Sequence, residues 1–250
     1  MTKQKKAGFS SKKQKQNADP QIWGIHAVAS ALTNPARPKK HLYLTANAAA
    51  RISEIIEHPL PKYEQCSPKD IDKQIGPAHV HQGALLITNE LPTKEIEDLP
   101  GTDRIAVLDQ VTDPHNVGAI LRSATAFGIK SLVMTQRNSP PLSGTLAKTA
   151  SGGLEHVDII HVGNLAQALT KLGKQGYHRI GFDGAGEKTL TDLSAAPGEG
   201  IALIFGAEEK GMRRLTRDHC DDLARIEARG AFCSLNVSNA AAIAFHHFQI

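Results

Sequence analysis

Three short stretches carry side chains that could do chemistry. "DPHNVGAILRSATAFG" (113–128) holds Asn116 and Arg122, "IFGAEEKGMRRL" (204–215) holds Glu208, and "SLNVSNAAAIAFHHF" (234–248) opens on Ser234 and Asn236. Singly, each has an ordinary explanation. Asn116 and Asn236 can cap helices, Glu208 can be a solvated turn carboxylate, and Arg122 can be a surface charge. Together they stand at strand-to-helix or loop-to-helix junctions, where α/β sheets bind ligands. The set is a polar cluster with one fixed cation and no metal-ligand pattern.

The placement of Arg122 sharpens this. Val117, Ile120, Leu121 and Ala124 follow the i, i+3, i+4, i+7 stripe of a core-packing helix that begins near Asn116. Arg122 lies roughly 140° round from Val117, on the side of Gly118 and Thr125, away from the stripe. In "IALIFGAEEKG" an apolar strand runs directly into Gly206, and the glycines allow a ligand to approach the main chain closely. Ser234, Asn236, Ser238 and Asn239 are more polar groups than one helix cap requires.

Two other chemistries are set aside. "GFDGAGEKTL" (181–190) almost spells a phosphate loop, but Glu187 stands between Gly186 and Lys188 and puts the lysine out of register. The twelve histidines are scattered, and no His/Cys/carboxylate cluster has ligand spacing, so no metal is expected.

The elements that must position these residues alternate. Strands are expected at 104–109, 130–135, 157–162, 178–183, 201–205 and 223–227, with helices between most of them and a last helix from about Asn236. That alternation predicts an α/β fold with a mostly parallel sheet covered by helices. Ahead of it, residues 21–89 read as a smaller α/β unit. It has a helix in "IWGIHAVASALTNP", strands in "HLYLT" (41–45) and "GALLIT" (83–88), and a helix to about His58. The acidic, Pro-containing stretch 90–103 suits a linker, and 104–250 forms the second unit.

Charge is uneven. The chain has 29 basic and 25 acidic residues, and six lysines with no acid fall within residues 1–17. The other residues are therefore slightly acidic, 23 against 25. Residues 1–20 are expected to form a disordered Lys-rich tail, suited either to a polyanion or to solubility. No apolar run approaches the ~20 residues of a membrane span, and no secretory signal is recognisable. Three cysteines without a CxxC suggest a reduced, cytoplasmic protein. In "NPARPKKH", Arg37, Lys39 and Lys40 are candidate phosphate contacts or plain surface charge.

The three stretches, in this order, resemble the three motifs of the SpoU family of RNA ribose 2′-O-methyltransferases, a branch of the SPOUT class. "TASGGLEHV" (149–157) resembles that family's connecting loop. "WGIHAVASAL" and "HQGALL" resemble the substrate-binding domain preceding the catalytic domain in 23S rRNA guanosine-2′-O-methyltransferases. The resemblance implies S-adenosylmethionine as cofactor, RNA (23S rRNA) as substrate, a homodimer, and a SPOUT domain with a deep trefoil knot. By position, Arg122 is the family's catalytic arginine and Asn116 its partner. Glu208 is the acidic residue of the second motif, and Ser234 and Asn236 the polar pair of the third. The cofactor would lie against Gly206, Ile226 and Leu235. Asn239 and Gly153 depart from common family residues. A tRNA enzyme of the same family and a catalytically silent RNA-binding or ribosome-assembly protein are the alternatives.

Methyl transfer to a ribose hydroxyl requires alignment of the two reactants and management of a weakly acidic proton. The family proposal makes Arg122 the base. A guanidinium keeps its proton at neutral pH, so a cationic clamp on the phosphate and developing alkoxide is the other role. In either case Asn116 and Glu208 are expected to orient Arg122.

Overall fold

The fold is a computed structural model that describes residues 19–249 except 197, 209, 229 and 231–233. The Lys-rich segment expected to be a tail lies outside the described residues up to position 18.

The first unit contains β1 (Gln21–Trp23), α1 (Ile25–Thr33), β2 (Lys39–Leu44), α2 (Ala46–Ile55), β3 (Glu64–Gln65), α3 (Pro68–Ile75) and β4 (Ala84–Thr88). Its sheet has the order β1-β4-β2-β3, antiparallel except between β2 and β3. β1 lies where the sequence suggests a helix. Its three residues are held by pairing with Leu85–Ile87 rather than by their own propensity.

The second unit contains β5 (Arg104–Asp109), α4 (Pro114–Ala126), β6 (Ser131–Thr135), α5 (Gly144–Ala150), β7 (Asp158–Val162), α6 (Leu165–Lys174) and β8 (His178–Phe182). After these come β9 (Lys188–Thr189), β10 (Ile201–Gly206), α7 (Arg214–Arg217), β11 (Asp222–Arg225) and α8 (Val237–His247). Every pairing in its seven-stranded sheet is parallel, in the order β7-β6-β5-β10-β8-β11-β9. Both faces are buried, as parallel sheets require. Ala106 and Leu108 of β5 face the layer of α4, α5 and α8, while Ile105 and Val107 face α6.

α4 starts earlier than the apolar stripe suggests. Asp113 is its N-cap, accepting from the His115 backbone N–H at 2.9 Å, and Pro114 occupies the first helical position, where its missing N–H costs nothing. Asn116 is thereby inside the first turn, with its amide free for other partners. Gly118 is packed hard against α5: a Cβ there would sit 2.7 Å from the Thr149 Cβ and 2.8 Å from the Leu146 carbonyl oxygen. The missing side chain brings α5 beside the Arg122 turn.

The two units are joined tightly. A Cβ on Gly144 would meet the Trp23 ring at 2.6 Å, and one on Gly152 would meet the Ser30 Oγ at 2.2 Å. Arg37 is not a free phosphate contact. It is 4% exposed, and its Nη2 pairs at 2.7 Å with Glu155, whose side chain is 2% exposed; its Nη1 donates to the Asn89 carbonyl oxygen. Lys39 donates to the Asn34 carbonyl oxygen and Lys40 pairs with Asp19. Among the described residues no helix is long and apolar enough to cross a membrane.

Candidate active site

β10 ends at Gly206, and the chain folds back so closely that a Cβ on Gly206 would lie 2.1 Å from the Gly211 carbonyl carbon. The turn is closed by the Gly211 N–H donating to the Ala207 carbonyl oxygen at 2.8 Å. Asp109, fully buried at the end of neighbouring β5, anchors it from below. Its carboxylate accepts from the Arg213 backbone N–H at 2.8 Å and from the Arg213 Nε at 2.7 Å. Sequence reasoning passed over Asp109. Its signal was a carboxylate closing an otherwise apolar strand.

This turn presents Glu208 to the other two motifs. Asn116 Nδ2 donates to Glu208 Oε1 at 2.8 Å. Asn236 Nδ2 donates to Asn116 Oδ1 at 3.0 Å and also to Glu208 Oε1. Asn236 is simultaneously the N-cap of α8, its Oδ1 accepting from the Ser238 backbone N–H at 2.8 Å and the Ser238 hydroxyl at 2.6 Å. One residue from each motif therefore meets at a single carboxylate.

Beside this triad a groove of about 190 Å³ opens. Gly206, Ile226, Ser234 and Leu235 line it, with Asp183 at the same groove. The stacked pair Phe182 and Phe205, ring centres 4.9 Å apart, gives it an aromatic wall. Main-chain groups freed by Gly206, an apolar wall and a few polar groups suit a nucleoside-like cofactor. Among the described residues no three His, Cys, Asp or Glu side chains gather as metal ligands.

Arg122 is elsewhere. Its guanidinium makes no hydrogen bond or ion pair among the described residues, and Asn116 and Glu208 pair with each other rather than orienting it. It lines a separate cleft of about 460 Å³ between the two units, with Lys148 and Thr149 of α5 and with His26 and Gln82 of the first unit.

The SpoU rRNA Methylase family model matches residues 103–246, and the RNA 2′-O ribose methyltransferase substrate binding model matches residues 21–94. The chain is 37% identical over 232 residues to the 23S rRNA (guanosine-2′-O-)-methyltransferase RlmB of Vibrio parahaemolyticus, covering 89% of this chain and 93% of the relative. It is 38% identical over 232 residues to the protein of the same name from Yersinia pestis, again covering 89% and 93%. In fold it is similar to the AdoMet-bound rRNA methyltransferase from Sinorhizobium meliloti. The TM-score is 0.75 at 19% identity, covering 92% of this chain and 86% of that one.

Proposed function

The chain belongs to the SpoU rRNA methylase family, and from that premise we propose that it methylates the ribose 2′-oxygen of a guanosine in 23S rRNA. Relatives that span almost the whole chain, leading unit included, act on that substrate by name. The observation that carries the reading is the meeting of Asn116 and Asn236 on Glu208 at the edge of the Gly206–Ile226–Leu235 groove.

S-adenosylmethionine in this groove supplies a methyl group already activated on sulfur. Gly206 and Leu235 would hold it chiefly through main-chain groups, with Ile226 against its apolar surface and Ser234 at its polar edge. Glu208 lines the groove and is held there by Asn116 and Asn236, so the triad's role is to fix the distance between cofactor and ribose. Arg122, a permanent cation in the separate interunit cleft, would act where the substrate spans cleft and groove; there it would neutralise the phosphate next to the reacting ribose and the charge growing on the 2′-oxygen, whose proton passes to a phosphate oxygen.

A homodimer belongs to the same reading. Leu235, just ahead of α8, and Ile243 within it are 39% and 40% exposed, large apolar side chains that a second copy would cover. A knotted C-terminal segment belongs to the same reading on the strength of the family match.

The test is methyl transfer from labelled S-adenosylmethionine to a 23S rRNA transcript. Wild-type protein is expected to label one guanosine ribose. Arg122→Ala is expected to abolish labelling while keeping cofactor affinity within a few-fold by calorimetry. Wild-type turnover in Arg122→Ala would remove its assignment, and an unlabelled transcript with the wild type would remove the substrate.

A further inference from the structure

Three cations whose side chains have no partner among the described residues lie along one trough that crosses the boundary between the units. The interunit cleft holds Arg122 and Lys148. A second hollow, of about 560 Å³, holds Arg51 and Asn47 on the first unit. The two share His79, Val80 and Gln82, so they are continuous.

The chemistry of the lining is one-sided. Among the described residues no aspartate or glutamate lines either hollow, though Asp72 stands behind His81 at 3.3 Å. The side chains of Arg51, Lys148 and Arg122 make no ion pair or hydrogen bond among the described residues, whereas those of Lys40, Lys73, Lys94, Lys171 and Lys188 are each paired with a carboxylate. Lys148 belongs to α5 but reaches the first unit, its Cγ 3.4 Å from where a Gly24 Cβ would sit.

The wall between the cations is partly aromatic and apolar. The His79 ring packs on Trp23 with centres 4.8 Å apart and planes tilted by 41°, and Val80 is 65% exposed. Its spacing is fixed by the Trp23–Gly144 and Ser30–Gly152 contacts and by the buried Arg37–Glu155 pair. Cations that track phosphates beside a stacking surface are how proteins hold a single strand.

We propose that this trough is the path of a single-stranded segment of the substrate RNA. Arg51 and Lys148 hold phosphates along the strand that presents its ribose near Arg122, and His79 with Val80 lies against a base. This rests on the RNA-methyltransferase reading above. Arg51 and Lys148 are positioning residues in it.

The experiment compares wild type with Arg51→Gln, Lys148→Gln and the double variant, using a 23S rRNA transcript. RNA affinity is titrated against salt, and KM and kcat are measured separately. Each substitution is expected to lower the slope of log K against log salt by about 0.7. KM should rise several-fold with kcat unchanged, since the binding lost is uniform. Arg51→Lys and Lys148→Arg should restore the slope. Lys62→Gln, an exposed cation outside the trough, should leave it unchanged. A double variant with wild-type slope and KM would overturn the proposal. So would a Lys62→Gln effect equal to that of Arg51→Gln. Salt-dependent binding that responds to Arg51 and Lys148 without any methyl transfer would remove the enzymatic reading and keep the trough.

Discussion

Asn236 donates its amide to Asn116 at 3.0 Å across 120 positions of sequence, and both amides converge on one oxygen of Glu208. The bond ties the first turn of α4 to the N-cap of α8. Because Asn236 also caps α8, a shift of the helix moves the triad with it.

Glu208→Ala removes the shared acceptor. Glu208 is exposed, so the loss to stability should be small, about 1 kcal/mol. Methyl transfer should fall about 100-fold, the scale of a misplaced reactant. Initial rates alongside a thermal melt test this. A fully active Ala variant would make the triad a structural tie only. Glu208→Gln keeps an acceptor oxygen and should fall between the two.

Gly206→Ala places a methyl group 2.1 Å from the Gly211 carbonyl carbon and 2.2 Å from the Met212 nitrogen. Both are backbone atoms, so the turn has to open. Cofactor affinity should drop more than about tenfold, or 1.4 kcal/mol, by calorimetry. Unchanged affinity in a folded variant would move the cofactor away from this groove.

Glu155→Ala leaves the Arg37 guanidinium buried without its counterion. A loss of about 3–5 kcal/mol in denaturant unfolding is expected. Replacing both residues by leucine should cost less than either single truncation, because no unpaired charge remains. Equal and additive losses would show that the pair does not act as a pair.

Burial pushes the Cys220 thiol up to about 12, from an ordinary 9.0. Between those values the unfolded chain releases a proton that the folded chain keeps. The stabilisation is therefore complete below pH 9 and is lost as pH rises toward 12. Denaturant midpoints measured across the alkaline range should fall more steeply for wild type than for Cys220→Ala. Parallel curves would rule the thiol out as the cause.

The parallel sheet was legible because its central strands are unbroken apolar runs, such as Ile105–Leu108 and Ile201–Phe205. The polar residues of the three motifs were legible as types, but their pairing was not. Asn116 looked like a cap because the apolar stripe starts at Val117; the proline after Asp113, the local signal that marks Asp113 as the cap, decides the matter. Arg122 was expected beside Glu208. The close packing of Gly118 on α5, a contact 31 positions away in sequence to Thr149, places Arg122 in the interunit cleft instead. Arg37 read as surface charge for the same reason: its carboxylate is 118 positions distant. β1, β3 and β9 are two or three residues long and exist only through their neighbours, which no local pattern encodes.

One buried apolar cluster runs from Ile22, Val28 and Leu32 of the first unit through Leu146 and Ala150 to Leu108, Phe205 and Phe245 of the second. The chain therefore has two sheets but a shared interior. Neither unit can melt while leaving the other's interior dry, so the boundary drawn by sheet topology is not a boundary in unfolding cooperativity. Heat should remove both in a single calorimetric transition, and the leading unit serves the second as a thermodynamic partner.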